Sequence, residues 1–247
     1  MESMRVSVCM ATYNGEKYIE EQIHSILGQL RSEDELVISD DGSADKTIAI
    51  VSAIADERIK LLIGNKFRDP IKNFQNALMH ASGDFIFLSD QDDVWLAHKY
   101  EKIMGLLANY DLVISDSAIV DEKLRILHPS FFEYFKSGKG LLKNMIKSSY
   151  YGSCMAFSRQ VLENALPFPD TKEIGHDLWI GLVAEITGKV CFYNEALILY
   201  RRHSDAFTPL EVGKSKRTKY QMLNGRVIML KEVVKFFIKY KFKWKKD

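Results

Sequence analysis

Residues Phe85–Trp95 read FIFLSDQDDVW, a short apolar run that ends in Asp90, Asp92 and Asp93, three carboxylates within four positions. A buried strand ending in so much like charge calls for a positive partner, because crowded carboxylates repel one another unless one is protonated or a cation neutralises them. The same pattern recurs outward along the chain. Upstream, RVSVCMAT (5–12) is β-rich and runs into Tyr13-Asn14-Gly15, and ELVISDDGSAD (35–45) is a short apolar strand ending in Asp40-Asp41-Gly42. Helical spacing of Tyr18, Ile19, Ile23, Ile26 and Leu27 fills the gap between them. A third strand is read at IKLLIG (59–64), a helix at Asn73–Ala81 and another at Lys99–Leu107. Ser43 or Asp45 is expected to cap a helix beginning near Lys46.

Strand and helix in alternation, with continuous apolar strands, predict an α/β fold whose mostly parallel central sheet is flanked by helices on both faces. In such sheets ligands lie beyond the carboxyl ends of the strands. Thr12–Asn14, Asp40–Asp41 and Asp90–Asp93 are all assigned to that edge. After Leu112–Ser115 the rhythm changes. SFFEYFKSGKG reads as irregular, SCMAFS as a strand, HDLWIGLVAEITG as a helix and KVCFYNEALILYRRH as one or two closing strands. The organisation is one domain over 1–210 and a basic, amphipathic helical segment over 211–247.

Composition excludes several classes. With 47% apolar and 27% charged residues the chain is an ordinary globular protein, and a net charge of +1 gives no field for nucleic acid. Cys9, Cys154 and Cys191 are widely separated and form no CxxC pair, which suits a reducing cytoplasm and suggests neither a disulfide framework nor a zinc site. MESMRVSVCMATYN has too short an apolar core for a signal peptide, and no run approaches the roughly 20 apolar residues of a membrane span.

Each polar cluster has a plain reading beside a chemical one. Asp90–Asp93 can cap the next helix or bind a hard cation; oxygen ligands in a short loop suit Mg²⁺ or Mn²⁺. Of Asp40 and Asp41, one is expected to close its own turn while the other can accept from a ribose or a base edge. Asp177 can cap its helix or, facing a cleft, take a proton as a general base. His203 can be a loop histidine or, with Arg201 and Arg202, meet a diphosphate or a metal.

In their order and spacing, VSVCMATYNGEKYIEEQIHSIL, ELVISDDGSADKT, NFQNALMHASGDFIFLSDQDDVW, GSCMAFSR, HDLW and LYRRH resemble the inverting nucleotide-sugar glycosyltransferases of family 2, with the GT-A fold, over residues 5–207. SDQDDVW together with HDLW and YRRH is similar to bacterial rhamnosyltransferase-like members that build cell-surface polysaccharides. The resemblance implies that Ala11, Thr12, Tyr13 and Asn14 line the nucleotide and that Asp41 reaches the base. It implies Asp90 near the ribose and sugar, Asp92 and His203 on a divalent metal (Mn²⁺ or Mg²⁺), and Asp177 as catalytic base. Lys99, Gly152, Ser153, Arg201 and Arg202 fall among the donor contacts, the loop at 152–154 lying near the diphosphate or the acceptor. The partners implied are a nucleoside-diphosphate sugar, such as dTDP-rhamnose or a UDP-sugar, and a saccharide or lipid-linked acceptor.

The chain departs from the family at NKFRDPIKN (65–73), where Pro70 stiffens a turn that holds glycine in many relatives, and at WLAHKYEK (95–102), which keeps Lys99. The rival enzyme reading is a haloacid-dehalogenase-like phosphotransferase using DQDDV; the rival non-enzyme is a nucleotide-binding module. RVIMLKEVVKFFIKYKFKWKK mixes aromatics with lysines and is expected either to dock on the domain or to touch an anionic membrane from the cytoplasmic side.

Overall fold

A computed structural model describes residues 4–203 and 218–244. Strands β1 (Val6–Thr12), β2 (Glu35–Asp40), β3 (Ile59–Leu62) and β4 (Phe85–Ser89) pair in the order β3-β2-β1-β4, all parallel. Helices α1 (Ile19–Leu27), α2 (Thr47–Ala53) and α3 (Pro70–Met79) make the crossovers. Both faces of the central strands are covered, so Val8, Met10, Leu36, Ile38 and Phe87 are fully excluded from water and no alternating polar face is needed. Truncating a side chain such as Phe87 in this layer is worth about 3–5 kcal/mol.

Beyond β4 the sheet changes character. A two-residue strand β5 (Val94–Trp95) and helix α4 (Lys99–Leu107) precede the long β6 (Leu112–Val120). After β7 (Ile126–His128), helices α5 (Phe131–Phe135) and α6 (Leu141–Ile146) and a 3-10 turn at Gly152–Cys154 lead into β8 (Met155–Ser158). Helices α7 (Arg159–Ala165) and α8 (His176–Thr187) then precede β9 (Val190–Arg201). The order continues β4-β8-β6-β9-β5, with β7 on the end of β6. Strand β8 runs antiparallel to both neighbours, which restores β6 and β9 to the direction of β4. The predicted sheet is thus parallel in its first half and mixed in its second.

The sequence expectations meet several refinements. The 130–140 stretch, read as irregular, holds the short helix α5, a second short helix α6 follows it, and of the one or two closing strands expected there is one, 190–201. Helix α3 starts earlier than expected, because Asp69 accepts from the Ile71 N–H and Pro70 occupies the first turn, where its missing donor costs nothing. The N-cap position of α2 is Lys46, without a side-chain cap; Asp45 accepts from the Thr47 N–H just inside it, and Ser43 is taken by the Asn14 N–H. The last helix, α9 (Lys219–Trp244), packs on α6 and α8, its Phe236 meeting the Trp179 ring edge-on at 5.8 Å. The domain boundary placed near residue 210 lies outside the described residues.

Candidate active site

Parallel pairing brings the carboxyl ends of β1, β2 and β4 to one edge, and hydrogen bonds tie the loops there into a single surface. Gln91, between the acids of the β4 loop, accepts from Thr12 Oγ1 at 2.6 Å and from the Tyr13 N–H at 2.9 Å, and donates to the Tyr13 carbonyl. Asn14, held at φ 49°, accepts from the Ala44 N–H at 2.9 Å. Ala11 is half-buried at the end of β1 and Tyr13 is exposed. Gln91 was not singled out from sequence; its place between two such acids was the available signal.

The paired acids of the β2 loop divide their work. Asp40 accepts from the Gly42 and Ser43 N–H groups at 2.9 Å each, closing the turn in which Gly42 takes φ 80°. Asp41 reaches the other way, accepting from the N–H groups of Phe67, Arg68 and Asp69, so it fixes the NKFRDPIKN segment. A carboxylate has about four acceptor positions. Asp41 therefore keeps capacity for one further donor beyond these three.

The β4 loop meets the end of β9. Asp93 is fully buried and accepts from the Arg201 N–H at 3.0 Å, so it does not cap α4, whose N-cap position is His98. Asp92 Oδ2 lies 2.9 Å from His203 Nε2, and His203 is itself buried. Burial and then the neighbouring Asp93, Asp92 and Asp177 push the Asp90 carboxyl well above the usual carboxylate range. Burial and Asp92 likewise bring Asp93 to about 7 against the pull of the Arg201 N–H. Negative charge is therefore stored here at a cost.

Two of the basic residues point elsewhere than expected. Arg201 was read as a diphosphate contact, but its guanidinium is buried and committed: it donates to the carbonyls of Asp92 and Glu122 and to Glu21, and lies over the Tyr18 ring at 4.5 Å. Lys99 is buried beneath the acids, donating to the Ser153 carbonyl at 2.9 Å with its ammonium 4.4 Å from the Trp95 ring centroid. Burial brings its pKa down to about 8, against the raising influence of Asp93 and Asp90. Arg202 lies over the Tyr200 ring at 4.9 Å.

Asp177 completes the arrangement. It sits in the first turn of α8, where the helix dipole favours an anion, while Gly175 holds the N-cap position. Asp177 is half-buried and near enough to Asp90 to raise its pKa. The 152–154 turn passes beside it: a Cβ on Gly152 would lie 3.1 Å from His176 Nε2 and 4.0 Å from the Asp177 Cβ, so glycine keeps that approach open. His176 is stacked on Phe74 at 4.0 Å.

The Glycosyl transferase family 2 profile matches residues 7–166. The chain belongs to glycosyltransferase family 2. This sets aside the phosphotransferase and simple binding-module readings. The chain is 29% identical over 194 residues to the Escherichia coli UDP-Glc:alpha-D-GlcNAc-diphosphoundecaprenol beta-1,3-glucosyltransferase WfgD, covering 75% of this chain and 72% of that protein. It is 29% identical over 209 residues to the Campylobacter jejuni GalNAc(5)-diNAcBac-PP-undecaprenol beta-1,3-glucosyltransferase, covering 80% of this chain and 64% of the relative. To the Shigella flexneri dTDP-rhamnosyl transferase RfbG it is 38% identical over 105 residues, 40% of this chain and 36% of that one.

Among solved structures, Staphylococcus aureus TarS (residues 1–349) with UDP-GlcNAc superposes with a TM-score of 0.66 at 21% identity, covering 83% of this chain and 62% of TarS. The Pyrobaculum calidifontis mannosyltransferase PcManGT with GDP-Man and Mn²⁺ gives 0.63 at 22% identity, covering 84% of this chain and 59% of that structure. The fold of this family 2 glycosyltransferase is accordingly GT-A.

Proposed function

We propose that this glycosyltransferase moves a sugar from a nucleoside diphosphate to a hydroxyl of a saccharide or lipid-linked acceptor, with inversion, in the assembly of a cell-surface polysaccharide. The observation that carries the reading is the convergence of Asp92 and His203 beside Asp90, with Asp177 facing them from α8. Relatives named for UDP-glucose and dTDP-rhamnosyl transfer, and for diphosphoundecaprenol acceptors, support the donor and acceptor classes. The unpaired Cys9, Cys154 and Cys191 suit the cytoplasm.

A divalent metal fits the donor set. Among the described residues no group of three or more His, Cys, Asp or Glu side chains forms a cage. Two donors do converge, the 2.9 Å between Asp92 Oδ2 and His203 Nε2 matching the separation of about 3 Å between adjacent ligands of an octahedral Mg²⁺ or Mn²⁺. Such ions take one or two protein ligands and complete their shell with water and substrate phosphate. When bound, the metal supplies neutralisation of the charge that develops on the leaving diphosphate.

The chain's own groups do the rest. Ala11, Thr12, Tyr13 and Asn14, braced by Gln91 and the Asp40 turn, bear on the nucleoside, and Asp41 offers its remaining acceptor position to the base. Asp90 accepts from sugar or ribose hydroxyls. Lys99 offsets the charge from below and fixes the Ser153 carbonyl, so Gly152 and Ser153 border the diphosphate or acceptor. Arg202, buried over the Tyr200 ring, is assigned to the phosphate side, while Arg201 acts through the loop it anchors. Asp177 takes the proton of the acceptor hydroxyl as that oxygen attacks the anomeric carbon from the face opposite the leaving group.

A panel of UDP-, dTDP- and GDP-sugars tested for Mn²⁺-dependent thermal stabilisation identifies the donor, since a ligand at 100 times its Kd stabilises by about 2.7 kcal/mol. Asp177→Asn is expected to keep that stabilisation and to lower transfer by about 10²- to 10⁴-fold, the usual contribution of a general base. Transfer at the parent rate in that variant refutes the base; no shift with any nucleoside diphosphate compound and metal refutes the donor class.

A further inference from the structure

Helix α9 presents two apolar faces, and among the described residues only one of them is covered. Met229 and Val233 are buried against the domain, and Phe236 packs on Trp179 of α8. On the other side, Leu223, Val227, Leu230, Val234 and Phe237 recur at alternating four- and three-residue steps and remain between 42% and 61% exposed. Ile238 and Phe242 widen this stripe, and exposed Lys231, Lys235 and Lys239 line it at four-residue spacing.

A second element continues the surface. Arg226 donates to the Ile146 carbonyl at 3.2 Å, which sets α6 beside the first half of α9. There Leu142 and Ile146, one helical turn apart, are 75% and 66% exposed, with Lys143 and Lys147 exposed next to them. Apolar side chains edged by lysines thus spread across two helices.

We infer that α9 and α6 together form a docking surface for an anionic bilayer, with their apolar residues entering the headgroup boundary and their lysines meeting lipid phosphates. Charge selects this occupant over a second copy of the chain. Residues 218–244 carry seven basic residues against the single Glu232, so pairing two stripes would bring like charge together along the whole seam. An anionic surface turns that same charge into attraction. The width of the surface also exceeds the narrow seam of a two-helix coil. No helix among the described residues is long and apolar enough to cross a membrane, so the contact lies along the surface.

The attachment points give the docking a consequence. Phe236 grips Trp179, two residues beyond Asp177, and α6 leads through Ser148–Tyr151 into the Gly152 turn on the other side of the cleft. Both walls around Asp177 are therefore joined directly to the docking surface.

Flotation of the full chain with phosphatidylcholine vesicles, with and without one-third phosphatidylglycerol, tests this independently of any donor or transfer assay. Binding is expected to the phosphatidylglycerol vesicles and to fall on raising salt. Val227→Glu with Val234→Glu is expected to reduce it at least roughly tenfold with an unchanged melting temperature, as both positions are exposed. Lys231→Glu, Lys235→Glu and Lys239→Glu together should abolish the preference for anionic vesicles. Vesicle binding by the double variant equal to the parent's overturns the proposal, as does failure of the parent to float. So does a parent dimer that the double variant splits while neither binds vesicles.

Discussion

Glu35 and Asp90 stand at opposite ends of neighbouring parts of one sheet, and the protein treats their charges in opposite ways. At the amino-terminal edge the acids Glu35, Asp34 and Asp84 near the strand starts are matched. Glu35 accepts from Ser7 Oγ and the Ser82 N–H at 2.6 Å each. Asp34 accepts from the Val6 N–H and the Tyr100 hydroxyl at 2.9 Å each, and Asp84 from the Arg5 N–H at 2.8 Å. Although burial acts to raise it, these donors hold the Glu35 carboxyl below its usual range. At the carboxyl edge burial pushes up both Asp90 and Asp93, aided by Asp93, Asp92 and Asp177 at Asp90 and by Asp92 at Asp93. Acids at the first edge latch strands together; acids at the second are held where burial and like charge disfavour their ionised form.

The largest effect that separates the edges belongs to Asp92. Asp92→Asn, or His203→Ala, is expected to lower transfer by on the order of 10³-fold and to remove the Mn²⁺ dependence of donor stabilisation. Asp92→Asn also removes a like charge from a crowded group, so the melting temperature of this ligand-free variant is expected to hold or rise. Rates and melting curves on one preparation check both. A clear fall in stability would break the contrast, because it would make Asp92 a latch like Glu35.

Lys99 sharpens the comparison from below. Its pKa falls from 10.5 to about 8, chiefly by burial. The folded state therefore binds fewer protons than the unfolded one between about pH 8 and 10.5, and stability contributed by this group rises with pH across that window. Lys99→Met lacks the slope, so the stability difference between parent and variant should grow in the parent's favour by about 3 kcal/mol from pH 8 to 10.5. Urea melts of both proteins through that range measure it; parallel pH profiles would mean that the ammonium is solvated.

Much of this layout is legible in the chain, and the exceptions share a cause. Strands β1 to β4 and helices α4 and α8 were readable because their apolar spacing is local. The crowding of the acids was legible too, since three carboxylates within four positions after a buried strand are local to the sequence. Strand β5 was not, for its two residues are a strand only through Leu199 and Ile198, about a hundred positions away. The antiparallel insertion of β8 between β4 and β6 was hidden for the same reason. The commitment of Arg201 away from the donor was hidden too, because its partner Glu21 is 180 positions distant, and nothing in YRRH says that both arginines are buried. Gln91 and Asp93 acquired roles only when Thr12 and Arg201 arrived beside them.

The smallest expected effect is the sharpest check on the amino-terminal edge. Glu35→Gln keeps an oxygen for Ser7 and Ser82 but removes the charge that strengthens those bonds, charge-assisted bonds being roughly twice as strong as neutral ones. A loss of about 1 kcal/mol follows, with transfer unchanged at temperatures where the variant is folded. The pH dependence carries the sign. A carboxyl depressed in the folded state contributes stability that is present above its unfolded pKa, near 4.5, and is lost as pH falls through the folded value. The difference between parent and Gln variant should therefore be constant at neutral pH and shrink below about pH 4.5. At the carboxyl edge the raised pKa values of Asp90 and Asp93 give the opposite slope, a stability that falls as pH rises. If the Glu35→Gln difference instead widened on acidification, the two edges would not differ in kind, and the acids around Asp92 would lose their claim to be a site rather than a second row of latches.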